Sequence, residues 1–166
     1  MTTLKNSQEI ISLPTDSVQI VSKDGTLQST LSQYIADSGR GLVIYFYPKD
    51  NTQGCSVQAV DFSAYQDELA TLGYGVLGVS RDGIKSHQNF IAKKELNIAL
   101  ISDGDETLCQ HFDVIKEKMM YGKTHLGVVR STFVFDKNGV MIGSFRNVKA
   151  KEHVAQLLEF LQTLPA

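Results

Sequence analysis

Cysteine is scarce in this sequence, which has two among 166 residues, and tryptophan is absent. Cys55 and Cys109 lie far apart, so the chain has no CxxC pair and no cysteine–histidine cluster with zinc-finger spacing. The four histidines are scattered, and none pairs with another at a spacing of four residues. We therefore predict neither a metal ion nor another bound cofactor, unless folding brings the histidines together.

Strong net charge and long apolar runs are also missing. A net charge of −2 gives no electrostatic reason to expect nucleic acid or an anionic membrane as a partner. No apolar run approaches the roughly 20 residues that a membrane-spanning helix needs. The first residues, MTTLKNSQEIISLPTD, lack the apolar core and cleavage site of a secretion signal. The expected location is the cytoplasm, where a stable structural disulfide is not expected.

The length of the chain suits one domain spanning residues 1–166, with a core large enough to be stable without crosslinks. Hydrophobic residues make up 42% and charged residues 20%, as in an ordinary globular protein. There is no repeat, low-complexity segment or linker.

Strands and helices alternate along the predicted chain. The predicted strands are Val18–Ser22, Leu42–Tyr47, Gly75–Ser80 and Ala99–Ser102, followed by a hairpin of Val128–Asp136 and Val140–Phe145 around DKNG. The predicted helices are a short one from Leu31 to about Gly39, then Ser56–Leu72, Ile84–Glu95, Glu106–Phe112 and Lys151–Leu161. This order predicts an α/β fold in which helices flank both faces of a mixed central β-sheet.

Cys55 follows the loop Pro48–Gly54, which begins where a buried strand ends. Active sites of such sheets gather beyond the carboxyl ends of the strands. Cys55 also stands at the start of a predicted helix, where free N–H groups and the helix dipole favour a thiolate. Thr52 can cap the helix or donate its hydroxyl to a bound molecule, and Pro48 fixes the chain direction beside the pocket. These features favour a reactive thiol; the alternative is a small buried apolar residue.

The residues Pro48, Thr52 and Cys55 spell PxxxTxxC, which resembles the active-site motif of the peroxiredoxins. Four longer strings resemble the bacterioferritin comigratory protein (PrxQ) subfamily, in the expected order: FYPKDNTQGC, GVSRDGIKSHQNF, ISDGDETLCQHFDV and GVVRSTFVFDKNG. The resemblance extends from about Leu13 to about Leu161.

The resemblance implies a thioredoxin-like fold and the reduction of peroxides. Cys55 would be the thiolate that attacks the peroxide bond and becomes a sulfenic acid. Thr52 would hydrogen-bond the peroxide and the sulfur, and Pro48 would shield the pocket from water. Arg130 would stabilise the thiolate and polarise the peroxide. The residues agree with the last role, because Arg130 interrupts a predicted apolar strand and a buried guanidinium needs a partner. The alternative is a surface arginine on an edge strand.

The sequence departs from the subfamily near the thiol. Gln53 replaces a customary proline and leaves the first helical turn less restrained. Gln58 replaces a common glutamate, and the loss of that charge should not impair thiolate formation.

The customary positions of a second, resolving cysteine hold Val60 and Ile91, which leaves Cys109 as a possible resolving residue. We expect a one-cysteine mechanism in which an external thiol (thioredoxin, glutaredoxin or glutathione) reduces Cys55. Resolution by Cys109, within the chain or across a dimer, remains open because a disulfide needs Cα atoms within about 7 Å.

The leading hypothesis is a monomeric thiol peroxidase acting on hydrogen peroxide and organic hydroperoxides. The alternative is a peroxide sensor or redox-relay protein that is oxidised at Cys55 and passes the oxidation to a partner. A thioredoxin-like reductase or chaperone is a third possibility, and the lack of CxxC argues against the reductase.

Overall fold

The buried run that begins at Gly41 forms the centre of the sheet. In the computed structural model, which describes residues 6–164, all six residues of this strand are buried. The strands are β1 (Val18–Ser22), β2 (Gly25–Ser29), β3 (Gly41–Phe46), β4 (Tyr74–Ser80), β5 (Ala99–Ser102), β6 (Ile115–Met120), β7 (Lys123–Val128), β8 (Ser131–Phe135) and β9 (Met141–Phe145). The helices are α1 (Leu31–Ser38), α2 (Gln53–Ala64), α3 (Gln66–Thr71), α4 (Ile84–Lys94), α5 (Thr107–His111) and α6 (His153–Gln162).

Seven strands form one mixed sheet in the order β2-β1-β5-β4-β3-β8-β9. Strand β3 pairs parallel with β4 and antiparallel with β8, and β4 pairs parallel with β5. The parallel strands need both faces covered, which explains why β3 lacks the apolar–polar alternation of a half-exposed strand.

The sheet divides the core in two. Alternate residues of a strand point to opposite faces. Val43, Tyr45 and Tyr47 accordingly join a cluster with α2, α3, α4 and α6, which we call the first face. Leu42, Ile44 and Phe46 join a second cluster with α1 and α5, the second face. The predicted mixed sheet with helices on both faces is confirmed. No helix within residues 6–164 combines the length and apolar character required to cross a bilayer.

Two predicted elements are each divided in two. The predicted helix Ser56–Leu72 breaks at Tyr65, whose φ of −97° and ψ of 7° end α2 before α3 begins. The predicted strand Val128–Asp136 breaks after Val128, and Val129 and Arg130 link β7 to β8. Arg130 therefore lies outside regular structure, contrary to the prediction that it belongs to a strand.

The sequence analysis missed strand β2 and the β6–β7 hairpin. The hairpin forms a separate two-stranded sheet. Its turn has positive φ at Tyr121 and Gly122, and Tyr121 is 96% exposed. Both missed segments carry many exposed residues, so the burial pattern that marks a strand is weak there.

His153 joins α6 to the sheet. Its ring is buried, and Nε2 lies 2.7 Å from the Thr132 hydroxyl on β8. Burial, reinforced by the charge of Arg130, lowers the pKa of His153 from its usual 6.5 to about 4. The folded protein therefore holds this imidazole neutral, whereas the unfolded chain protonates it below about pH 6.5.

Acid should consequently destabilise the fold through His153. Between about pH 6.5 and pH 4 only the unfolded state binds this proton, so stability falls as the pH falls, by up to roughly 1.4 kcal/mol per pH unit. We expect urea denaturation at pH 4.5 to 7 to show this slope in the wild type and a shallower one in His153→Gln. Parallel pH dependences for the two proteins would contradict the assignment, because other groups contribute equally to both.

Candidate active site

The loop between β3 and α2 carries the predicted site residues. Tyr47 N–H still donates to the carbonyl of Val79, at 3.0 Å, so the backbone follows the sheet up to Pro48. Asn51 then adopts a left-handed conformation with φ of 61°, which asparagine tolerates better than most residues. Thr52 has the extended φ and ψ of an N-cap residue, and α2 begins at Gln53.

Cys55 is the third residue of α2, and its thiol is free and 2% exposed. The backbone N–H groups of a helix's first turn have no partner within the helix and add positive potential there. The sequence analysis placed Cys55 at a helix start, and the structure does the same.

Arg130 meets Cys55 from the link between β7 and β8. Its Nη2 lies 3.4 Å from Cys55 Sγ, and its Nη1 donates to Gln58 Oε1 at 2.6 Å. The two nitrogens thus contact residues one helical turn apart on the same face of α2. A guanidinium beside a thiol favours the thiolate.

Gly54 leaves room for this arginine. A Cβ at position 54 would lie 3.1 Å from Arg130 Nη2, so the guanidinium would have to shift by a few tenths of an ångström. The glycine of the TQGC string is therefore explained by a close approach and not by an unusual backbone angle.

Thr52 does not cap α2 with its side chain, contrary to one of the two roles considered. Its hydroxyl donates to the carbonyl of Lys49 at 2.8 Å, and the residue is exposed. The hydroxyl oxygen keeps lone pairs that can accept a hydrogen bond from a bound molecule.

Pro48 and Arg130 line an open depression of about 620 Å³. Val129, Val148 and Lys118 contribute to its wall. Burial lowers the pKa of Lys118, and the charge of Arg130 adds to this effect. Lys118 was not identified from the sequence, because a lysine in the alternating KEKMM string carries no signal of proximity to Cys55.

Asp50, in the loop between β3 and α2, is buried. Its carboxylate accepts from the hydroxyls of Tyr47 at 2.6 Å and Ser86 at 2.8 Å, and lies 2.7 Å from His87 Nδ1. His87 Nε2 lies 2.9 Å from the carbonyl of Ile101. These bonds tie the loop after β3 to α4 and β5. They could not be predicted, because the residues are distant in the sequence.

Cys109 lies on the second face of the sheet, whereas Cys55 lies on the first. The backbone N–H groups of Leu108 and Cys109 donate to the Asp103 carboxylate at 3.0 and 2.9 Å. Burial, and a hydrogen bond to Asp103, raise the pKa of the Cys109 thiol. The structure therefore does not bring Cys109 to the other predicted site residues.

Metal-binding side chains are dispersed. Within residues 6–164, no group of three or more histidine, cysteine, aspartate or glutamate side chains is close enough together to hold a metal ion.

Comparison with known proteins agrees with the resemblance seen in the sequence. The profile of the AhpC/TSA family matches residues 12–143. Peroxiredoxin Bcp of Xanthomonas campestris is 46% identical over 154 residues, which are 92% of this chain and 94% of the relative.

Solved structures agree as well. Peroxiredoxin Q of Xanthomonas campestris has a TM-score of 0.81 at 46% identity and covers 92% of this chain and 95% of its own. A structure of the bacterioferritin comigratory protein of the same organism, studied for its alkyl peroxide reduction activity, has a TM-score of 0.81 at 43% identity. That alignment covers 95% of this chain and 98% of the other.

The contact between Gly54 and Arg130 predicts that Gly54→Ala slows alkylation of Cys55 at neutral pH. Displacing the guanidinium should reduce the rate by about tenfold, which corresponds to roughly 1.4 kcal/mol of thiolate stability. Iodoacetamide labelling followed by mass spectrometry measures the rate. Gly104→Ala is the matched control, since a Cβ there meets nothing within 4 Å. An unchanged rate in Gly54→Ala would show that the Arg130 contact does not control the thiol.

The two cysteines should also differ in reactivity. A raised pKa keeps Cys109 a neutral thiol at pH 7 to 8, so we expect the folded protein to be labelled on Cys55 alone. After unfolding in urea both cysteines should react at similar rates. Peptide mapping distinguishes the sites, and rapid labelling of Cys109 in the folded protein would contradict the raised pKa of its thiol.

Proposed function

The chain belongs to the AhpC/TSA family, among the peroxiredoxins of the Bcp/PrxQ group, and we propose that its Cys55 thiolate reduces hydrogen peroxide and organic hydroperoxides. Membership of this family implies thiol-dependent peroxide reduction. The observation that carries the proposal for Cys55 is the Arg130 guanidinium 3.4 Å from its sulfur, at the first turn of a helix.

The reaction oxidises the sulfur and reduces the peroxide. The thiolate attacks one peroxide oxygen, a sulfur–oxygen bond forms and the oxygen–oxygen bond breaks. The departing oxygen takes up a proton and leaves as water or an alcohol, and Cys55 becomes a sulfenic acid. Arg130 stabilises the thiolate before the attack and the negative charge that moves onto the oxygens during it.

The loop residues orient the peroxide. The Thr52 hydroxyl gives its proton to the Lys49 carbonyl, so its oxygen is an acceptor for the O–H of a hydroperoxide. Pro48 has no N–H and therefore presents no donor that would bind water at the edge of the depression.

An external thiol completes the cycle. Cys55 and Cys109 contribute to clusters on opposite faces of the sheet, and a disulfide requires Cα atoms within about 7 Å. Joining them within one chain would require the sheet between them to open. Position 60, on α2, and position 91, on α4, hold valine and isoleucine. We infer a one-cysteine mechanism with thioredoxin, glutaredoxin or glutathione as the reductant, and we propose that the protein acts as a monomer.

For organic hydroperoxides, Pro48, Val129 and Val148 offer apolar contacts beside Arg130, in a depression that charged side chains also line. The bacterioferritin comigratory protein of Xanthomonas campestris was studied for alkyl peroxide reduction, which supports the same substrate class here.

A peroxide sensor or redox relay is the second candidate. The separation of Cys109 from Cys55 favours it, because an oxidised Cys55 without a nearby thiol persists until a partner arrives. Rapid multiple turnover with a thiol reductant would exclude a sensor that is oxidised once and recycled slowly.

Cysteine variants test the mechanism. We expect Cys55→Ser to abolish peroxide consumption and Cys109→Ser to retain it, since only Cys55 reacts. Turnover is measured with hydrogen peroxide and cumene hydroperoxide, using thioredoxin, glutaredoxin and glutathione in turn. Intact-mass analysis after about one equivalent of peroxide should give a dimedone adduct on Cys55, with Cys109 still open to alkylation after unfolding.

Two results would overturn this mechanism. A loss of about two mass units with both thiols blocked would mean that Cys109 resolves the sulfenic acid. An unmodified Cys55 in the wild type would remove the peroxidase proposal itself.

A further inference from the structure

Gln58 is fully buried on α2, one turn after Cys55. Its Oε1 accepts a hydrogen bond from Arg130 Nη1 at 2.6 Å. A guanidinium can only donate, so this bond fixes which end of the amide is oxygen and which is nitrogen. Within residues 6–164, Gln58 Nε2 has no acceptor in hydrogen-bond range. A buried amide donor without an acceptor is destabilising, so its presence calls for an explanation. An acceptor that forms nearby during the reaction would supply one.

The surroundings of the Cys55 sulfur are rich in positive charge. Arg130 contacts a neutral amide and the thiol, and Lys118 of β6 donates to the carbonyl of Val128. Neither cation has a carboxylate partner among residues 6–164.

Two other titratable groups near the sulfur, one on β3 and one on α6, are neutral at neutral pH. Burial raises the pKa of Tyr45, on β3, and burial lowers that of His153, on α6, so both are neutral. The carboxylate of Asp50 is engaged by His87. Because Arg130 has no carboxylate partner among the described residues, its charge can stabilise an anion formed at the Cys55 sulfur.

We propose that Gln58 Nε2 donates a hydrogen bond to the oxygen that Cys55 acquires and so holds the product as a sulfenate anion. This rests on the proposed function, in which peroxide oxidises Cys55. Attack on the hydroperoxide forms the sulfur–oxygen bond, and the alkoxide leaves with a proton from solvent. The sulfenic acid then releases its own proton to solvent. Arg130 and Gln58, which meet on the same side of α2 as the sulfur, stabilise the resulting anion.

The consequence is that the oxidised form of Cys55 is reduced slowly. Thiols attack the neutral sulfenic acid, which is the electrophile, and the anion resists them. A donor at position 58 therefore lengthens the life of oxidised Cys55 until a proton returns. A glutamate would supply no donor and would repel the anion.

The test uses two variants without the amide donor. Gln58→Glu keeps an oxygen for Arg130, and Gln58→Met keeps the size and neutrality of the side chain. For each protein, the pH midpoint of alkylation is measured on reduced Cys55, and the pH midpoint of dimedone trapping after one equivalent of hydrogen peroxide. The ionisation of dimedone itself also affects the trapping midpoint, but it is the same for every protein compared. Gln53→Glu, at an exposed position of α2, is the control for added charge.

The difference between the alkylation midpoint and the trapping midpoint measures the effect of the Gln58 amide donor on the oxidised form alone. Thiolate and sulfenate carry the same charge, so a displaced Arg130 or an added carboxylate moves both midpoints together. Loss of a donor to the oxygen moves the trapping midpoint alone. We expect it to rise by about one pH unit more than the alkylation midpoint in both Gln58 variants, with no such difference in Gln53→Glu.

Midpoints that move together, or do not move, in either Gln58 variant would overturn the role of the amide donor. The proposed function would survive that result, because the wild type would still give an adduct on Cys55. Absence of the adduct in the wild type would instead overturn the proposed function.

Discussion

The contact between Arg130 and Cys55 connects two distant parts of the chain, and the rest of the site is arranged around it. A guanidinium cannot lose its proton, so the half-buried side chain of Arg130 needs hydrogen-bond partners. One partner is the sulfur at 3.4 Å and the other is the Gln58 amide at 2.6 Å. The break between β7 and β8 lets Arg130 leave the sheet, and Gly54 gives it space. Each of these features alone is ordinary, and together they place a permanent positive charge beside a thiol.

The central sheet has a second effect on the chemistry, because it separates the two thiols. Residues alternate along β3, and the two clusters that they join never share a member. Cys109 is held among apolar residues and beside Asp103, where a neutral thiol is favoured. Cys55 has the opposite surroundings, with a cation and helix N–H groups. The two thiols thus have opposite surroundings on the two faces of the sheet, and we propose that this difference makes Cys55 the reactive one.

Sequence patterns predicted the elements that are buried and regular. The apolar run of β3, the DKNG turn and the helical spacing of α4 correspond to elements of the structure, and the family resemblance pointed to Pro48, Thr52, Cys55 and Arg130 as site residues. The exposed hairpin β6–β7 was not predicted, because strands without a buried face lack the alternation of apolar and polar residues. The contacts of Gln58, Lys118 and Asp50 were also not predicted from the sequence. They depend on which side chains meet in space, and a residue such as Asp50 reads as a turn former until His87 and Tyr47 are seen around it.

The buried carboxylate of Asp50 holds one end of the loop between β3 and α2 more firmly than the other. On the Pro48 side, four hydrogen bonds anchor it to β3, α4 and the segment after β4, through Tyr47, Ser86, His87 and Asp82. On the α2 side, the Thr52 side chain provides no cap, and Gln53 stands where a proline would restrain the backbone. The buried thiol of Cys55 therefore lies next to the less restrained end of the loop, in the first turn of α2.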